Sequence, residues 1–476
     1  NDCVYINLTE KFPTNLKKAV AKENITQSLK RGVVSSDARA IGGTALSAKS
    51  YASVLGANER INIAVIGVNG RGQAHINAWT GMKDVKLKTL CDVHTELLSP
   101  RSKMVSDKTG QTPLTEWDMR KVFDDKEIDT VSFATPNFCH ALGTIWACQA
   151  GKHVYVEKPA MHNVWEGRKM IEAARKYDRR VQVGFQNRSI TNVMQAMQFL
   201  HDGGIGDVFM ARGLCIKPRK SFGIAKNSQP PQTLHYDRWL GPVSWRPYNE
   251  KRDLYNWHWF WDTGNGDTGN QGPHQFDIAR WGLNKLEHPV SVFSTGGLYG
   301  WGPEECAQET PDTQVTVFKY SDGKILEFET RGRASNGEGD LGVKIGNIFY
   351  GKKGYMEIDG STWKAFREGE KEPFAGSKTP GTSNESISLT GPTSEGHFAN
   401  FISALRSGKN EDLNCDVHIG VTSTVLPLLA NISYRLKREL HFMGGDMKME
   451  KFVNDPEADA LLTRAYRPPY VVPDQV

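Results

Sequence analysis

The sequence predicts an α/β fold, with a doubly wound parallel sheet first and a second domain of α+β character after it. Three observations carry this. The β-branched run Ile61-Asn-Ile-Ala-Val-Ile-Gly67 enters a glycine-rich turn directly, as a buried parallel strand does. Strand-like runs then alternate with helix-like stretches, which requires right-handed crossovers and parallel strands. Past residue 188 the alternation gives way to successive strand runs, among them Val315-Thr-Val-Phe-Lys-Tyr320 and Lys324-Ile-Leu-Glu-Phe-Glu-Thr330, punctuated by Asp-Gly and glycine-rich turns. The expected organisation is an arm at 1–58, a first domain at 59–187 and a second at 188–476, whose helices at 394–440 follow its strands.

Length and charge narrow the function classes. A chain of 476 residues accommodates two or three domains. The net charge is +5, but residues 1–60 hold nine Lys/Arg against five Asp/Glu, so the remaining 416 residues carry a surplus of only one. A nucleic-acid binder needs its basic footprint on the folded body, so no nucleic-acid partner is expected. The seven cysteines are scattered with no C-x-x-C, which implies neither a metal site nor a disulfide framework. No run of about 18 consecutive apolar residues is present, so no membrane span is expected. In the arm, Lys30-Arg31 precedes a weakly apolar, small-residue stretch ending near Asn58, interrupted earlier by Asp37 and Arg39. Two readings stay open: a degenerate, twin-arginine-like export leader, or an extended arm on a cytoplasmic protein.

In the first domain, Gly67-Val-Asn69-Gly70-Arg71-Gly72 leads into a helix reaching Trp79. Such a turn needs glycine where the chain reverses and where backbone meets a pyrophosphate, and the helix N-terminus then presents free N–H groups to it. Asn69 stands where the dinucleotide-binding pattern G-x-G-x-x-G has its second glycine, and Asn tolerates a left-handed conformation. A plain glycine turn is the alternative. The next strand ends at Asp92, 25 positions after Gly67, near the spacing for a carboxylate on the adenosine ribose. That carboxylate repels a 2′-phosphate, so NAD is expected and NADP disfavoured; a solvated strand-end Asp is the alternative. Strands at 129–134, 153–157 and 181–185 follow, with helices from His140 to Ala150 and from Trp165 to Tyr177. Ligands of parallel sheets bind at the carboxyl ends of the strands. Asp92, Thr135, Pro136, Asn137, Glu157, Lys158 and Gln186 all fall there, with Arg71 and His140 at helix starts beside them.

The second domain concentrates aromatic surface. Seven of the twelve tryptophans lie between 239 and 301, densest in Trp257-His258-Trp259-Phe260-Trp261-Asp262. Indole faces suit the C–H side of a sugar while polar neighbours bind its hydroxyls, whereas any single Trp is as readily core filler. The loop Gly264–Gly272 leads into a helix carrying His274 and Asp277, three apart on one face, where Asp277 is placed to orient the imidazole.

Taken together and in order, the Gly67–Gly72 turn, Asp92, Ala134-Thr-Pro-Asn137, Glu157-Lys158-Pro159 and Gly264–Asp277 resemble the glucose–fructose oxidoreductase/inositol dehydrogenase (Gfo/Idh/MocA) family, from about Ile61 onward. The resemblance implies a Rossmann domain that binds NAD or NADP. It also implies a C-terminal α/β domain whose large, mostly antiparallel sheet covers the nicotinamide and mediates homo-oligomers. Its substrates are sugars and polyols, and some relatives use bound NAD to cleave glycosidic bonds. In the family motif an Asp, the His and the Lys of Glu-Lys-Pro surround the reacting hydroxyl. Lys158 and His274 match, but Asn270 occupies the Asp position and cannot take a proton; Asp262 and Asp267 are the nearby carboxylates. Removing hydride from a carbinol needs a base within hydrogen-bond reach, and an ammonium beside a cationic ring is lowered toward working pH. Lys158 is therefore the expected base and His274 its partner, with Trp257, Trp259, Asp262, Asn270 and Asp277 toward the substrate. The readings that follow are a sugar or cyclitol dehydrogenase, an NAD-assisted glycoside-cleaving enzyme, or a non-catalytic NAD-binding protein.

Toward the C-terminus, a helix is expected from Ser394 as N-cap to Gly408, with His397 and Asn400 on a solvated face. A second, about Asp416–Leu440, contains Pro427 and should kink there. The run Tyr466–Pro473 reads as an extended clasp on the body or on a second subunit.

Overall fold

The computed structural model describes residues 60–334, 336–360, 362–377, 392–443 and 451–476; the arm and its leader-like segment lie outside them. The first sheet holds β1 (Ile61–Ile66), β2 (Val85–Cys91), β3 (Leu114–Glu116), β4 (Thr130–Phe133), β5 (His153–Glu157) and β6 (Val181–Gly184). Its order is β3-β2-β1-β4-β5-β6 and every pair is parallel. Helices α1 (Arg71–Thr80), α2 (Leu98–Thr109), α3 (Met119–Asp124), α4 (His140–Gln149) and α5 (Val164–Lys176) connect the strands. All four residues of β4 and of β6 are buried, which is why these strands read as continuous apolar runs. Strand order reverses between β1 and β4, so a crevice opens above their carboxyl ends.

The second sheet runs β14-β13-β12-β11-β7-β10-β9-β8-β15. Its long members are β7 (Val208–Ile216), β8 (Ser291–Gly297), β9 (Thr313–Lys319), β10 (Ile325–Arg331), β11 (Ile345–Gly351), β12 (Gly354–Asp359) and β13 (Thr362–Phe366). The edges are β14 (Ala375–Gly376) and β15 (Leu440–His441). All pairs are antiparallel except β7 with β10. α6 (Thr191–His201) and α7 (Tyr236–Leu240) precede the site helices α8 (Gly266–Asn270) and α9 (Gly272–Gly282). α10 (Pro392–Ser407), α11 (Val417–Leu436) and α12 (Pro456–Asp459) complete the chain. A fold with a parallel sheet followed by a mostly antiparallel one is thus present.

α11 is the central pillar. It packs on α5, α9, β6 and β8, with Gly420 lying flat against Val183. Length and composition alone would let this helix cross a membrane, yet most of it is buried in the fold. Its hydroxyls are spent internally: Thr422 and Thr424 donate to the carbonyls of His418 and Gly420, and Ser423 donates to Asp277. Pro427 sits inside an uninterrupted helix, and the helix ends at Leu436, earlier than expected, where Lys437 turns left-handed at φ 56°. α10 begins at Pro392, ahead of Ser394, whose capping side chain lies outside the described residues. His397 is not solvated: it is buried, with Nδ1 on Ser189 and Nε2 on the Val183 carbonyl. The tail closes on the body, where the Tyr466 hydroxyl donates to Glu166 and the Tyr470 hydroxyl to Asp237. The six described cysteines are buried and unpaired.

Candidate active site

The turn after β1 is built by two glycines in left-handed conformations, Gly67 at φ 86° and Gly70 at φ 41°. Asn69 is not among the left-handed residues, so it spares a glycine without needing one's freedom. A Cβ on Gly67 would meet the Ala134 carbonyl at 2.7 Å, and one on Gly72 the Gly67 oxygen at 1.9 Å; around Gly70 there is open space. The first turn of α1 carries no acidic residue, so its N-terminus faces that space with the positive end of the helix dipole. This glycine-walled cradle fits a pyrophosphate. Asp92 stands beside it, its two carboxylate oxygens accepting from the Val68 and His94 amides at 2.8 and 2.9 Å. Burial raises the Asp92 carboxyl pKa, with those two amide bonds opposing the shift.

A cavity of about 440 Å³ runs from this turn across the carboxyl ends of β2, β4 and β5 to the second domain's loops. At its floor, Glu157 accepts from Arg71 Nε at 2.8 Å, from Gln186 Nε2 at 3.0 Å, and lies 3.0 Å from His75 Nε2. Burial alone would raise this carboxyl; Arg71 and His75 hold it well below the usual carboxylate range. Gln186 is therefore a brace for Glu157, itself buried and also donating to the Tyr155 hydroxyl. His140 likewise braces, with Nδ1 at 2.8 Å from the Pro159 carbonyl and Nε2 at 2.9 Å from that of Thr135. Thr135 and Pro136 line the cavity, whereas Asn137 is buried and donates to Asn265.

Lys158 reaches into the cavity from the end of β5 and donates through Nζ to the backbone carbonyl of Asn270 at 2.8 Å. Burial lowers its pKa to about 8; Glu157 opposes the shift, while Arg71 and Lys217 add to it. Asn270, at the end of α8, shares the cavity wall with Trp257, which stacks on His258 at 3.6 Å between ring centroids. His258 is held at about 3 by burial, so it is a neutral ring.

Several expected substrate contacts lie elsewhere. Asp277 is buried and accepts both Arg188 Nε and Nη2 at 2.8 Å, with Ser423 at 2.6 Å, so it anchors α9 to α11 and does not orient His274. Asp262 pairs with Arg246 and does not line the cavity. Trp259 is buried under Arg219 at 4.9 Å. Asp267 takes the Arg219 guanidinium in two hydrogen bonds of 2.8 and 2.5 Å. His274 is buried behind the cavity wall, edge-on to Phe185, with Nδ1 lacking a hydrogen-bond partner. Burial and the Lys158 charge push its pKa well below the ordinary value, so it is neutral. Among the cavity residues that no motif marked are His94, Trp117, Lys217 and Tyr255. Among the described residues, no group of three His, Cys, Asp or Glu is placed to hold a metal.

Known proteins bear on this arrangement. The model of an oxidoreductase family's NAD-binding Rossmann fold matches residues 61–185, and that of the same family's C-terminal α/β domain matches 222–324. Levoglucosan dehydrogenase of Pseudarthrobacter phenanthrenivorans is 22% identical over 357 residues, which is 68% of this chain and 82% of the relative. A glycosyl hydrolase family 109 protein of Saccharopolyspora erythraea is 28% identical over 162 residues, 33% of this chain and 35% of that protein. A solved levoglucosan dehydrogenase in complex with NADH and L-sorbose superposes with a TM-score of 0.60 at 19% identity, covering 80% of this chain and 99% of that one. Both domain models of the Gfo/Idh/MocA family of oxidoreductases thus match this chain, in sequence order.

Proposed function

We propose that this oxidoreductase uses NAD and acts on a sugar or cyclitol, exchanging hydride with a CH–OH carbon. The observation that carries the reading is Lys158, a cavity lysine lowered to about 8 and fixed by the Asn270 carbonyl at the carboxyl end of β5. A bound nicotinamide supplies the hydride acceptor in oxidation and the donor in reduction. The chain supplies the rest. The Gly67–Gly72 turn and the α1 N-terminus receive the pyrophosphate. Asp92, already fixed by two amides, keeps lone pairs for the ribose hydroxyls and repels a 2′-phosphate, which favours NAD over NADP. Unprotonated Lys158 takes the hydroxyl proton in oxidation, and its ammonium returns one in reduction. Neutral His274 lies behind the cavity wall, so the reacting oxygen is assigned to Lys158 alone. Trp257 offers an apolar face to the ring.

The glycosyl hydrolase relative favours a second reading, transient oxidation followed by glycoside cleavage, but this chain spans only about a third of that protein. One assay separates them. Purified protein with NAD or NADP and a panel of sugars and glycosides is expected to form NADH, with NAD preferred, and to form none with Lys158→Met beyond about a hundredth of the original rate. Glycoside hydrolysis without net NADH would favour the second reading, and undiminished turnover by the Met variant would defeat both.

A further inference from the structure

The cavity has two ends of different charge. Near the turn, Asp92 keeps its amide bonds, and Glu157 is matched by Arg71 and His75. At the other end two lysines line the wall. Lys158 comes from β5 of the first sheet; Lys217 directly follows β7 of the second. They are close enough that Lys217 contributes to lowering the Lys158 pKa. Among the described residues the Lys217 ammonium has no ion pair and no hydrogen bond, although it faces a largely apolar cavity.

No carboxylate stands ready to answer it. Asp267 is held by Arg219 and does not line the cavity, and Asp262 is held by Arg246. Asn270 on the cavity wall is a neutral amide, and His258 is neutral. Two like charges sharing a partly enclosed space are unfavourable until a counter-charge arrives.

We propose that Lys217 binds an anionic group on the substrate, so that the preferred substrate is a sugar or cyclitol bearing a carboxylate or a phosphate. This rests on the hydride-transfer reading above. An ammonium is a compact charge with three donors and suits either anion, whereas a neutral sugar leaves it unmatched. Asn270, uncharged on the cavity wall, adds nothing that would repel such a group.

The test uses the full chain with NAD and three probes: glucose, glucuronate and glucose 6-phosphate. NADH formation gives kinetics, and quenching of tryptophan fluorescence gives binding without turnover. One of the two anions is expected to exceed glucose in kcat/KM by about ten- to a hundredfold, and the better one identifies carboxylate or phosphate as the group. With kcat and KM compared at a pH above the Lys158 rise, where its protonation no longer limits, Lys217→Met is expected to erase that preference through KM, and Lys217→Arg to restore most of it. Equal use of glucose, or a Met variant that keeps the preference, overturns the proposal. If no probe is oxidised, binding decides: tighter binding of an anion that depends on Lys217 upholds the anion site while defeating hydride transfer to these sugars. Binding of none of the three overturns the proposal.

Discussion

The side chain of Lys158 shows how charge is set one group at a time. If its base form takes the hydroxyl proton as proposed, kcat/KM for oxidation should rise with pH through about 8 and level off above it. Asn270→Asp adds a carboxylate beside an ammonium already 2.8 Å from that residue's backbone oxygen. An opposite charge favours the protonated form, so the rise should move to higher pH by about one unit. A pH profile that stays in place would show that residue 270 does not face Lys158. Lys158, Asp92 and the glycine turn were legible because each belongs to a short motif at a strand end. Lys217, and the pairing of His94 with Asp253 at 3.1 Å, were not, since His94 and Asp253 stand 159 residues apart. Asp277 misled for the same reason. Its spacing puts it on a helix near His274, but its partners Arg188 and Ser423 are 89 and 146 residues away.

Among the elements, the parallel strands were the most legible, because burial on both faces forces continuous β-branched runs. β3 was missed: it is three residues long, with exposed Leu114 and Thr115, and carries no such run. α10 was placed by its terminal signals, but the burial of His397 was not legible, because its partners Ser189 and the Val183 carbonyl lie 208 and 214 residues away. The close seating of α11 on β6 depends on a missing side chain. A Cβ on Gly420 would come within 2.4 Å of Val183, so Gly420→Val must push the helix off the sheet. Overpacking of this kind costs about 1–3 kcal/mol, and thermal melting should fall by several degrees. An unchanged melting temperature would show that the contact yields freely.

At the scale of the whole chain, the charge surplus sits mainly in the arm, with four of the five excess positive charges in residues 1–60. A version beginning at residue 59 should focus well below the full chain's isoelectric point of about 8.6, which isoelectric focusing measures directly. The two-sheet plan was readable from the change in strand spacing near residue 188, but the β7–β10 parallel pairing was not, since nothing local distinguishes a strand that waits for distant neighbours. That pairing has a consequence in time. Ile216 ends β7, yet its partners begin at Ile325 and Ile345, on either side of it in the finished sheet. At synthesis rates of about 5–20 residues per second, β7 leaves the ribosome roughly 5–20 s before β10 exists to pair with it. During that interval the parallel sheet of the first domain can already be complete, while a nine-residue strand with both edges open stands beside it. Slower translation lengthens this exposure, so the step at which a nascent chain is most prone to aggregate lies midway through synthesis and far from Lys158.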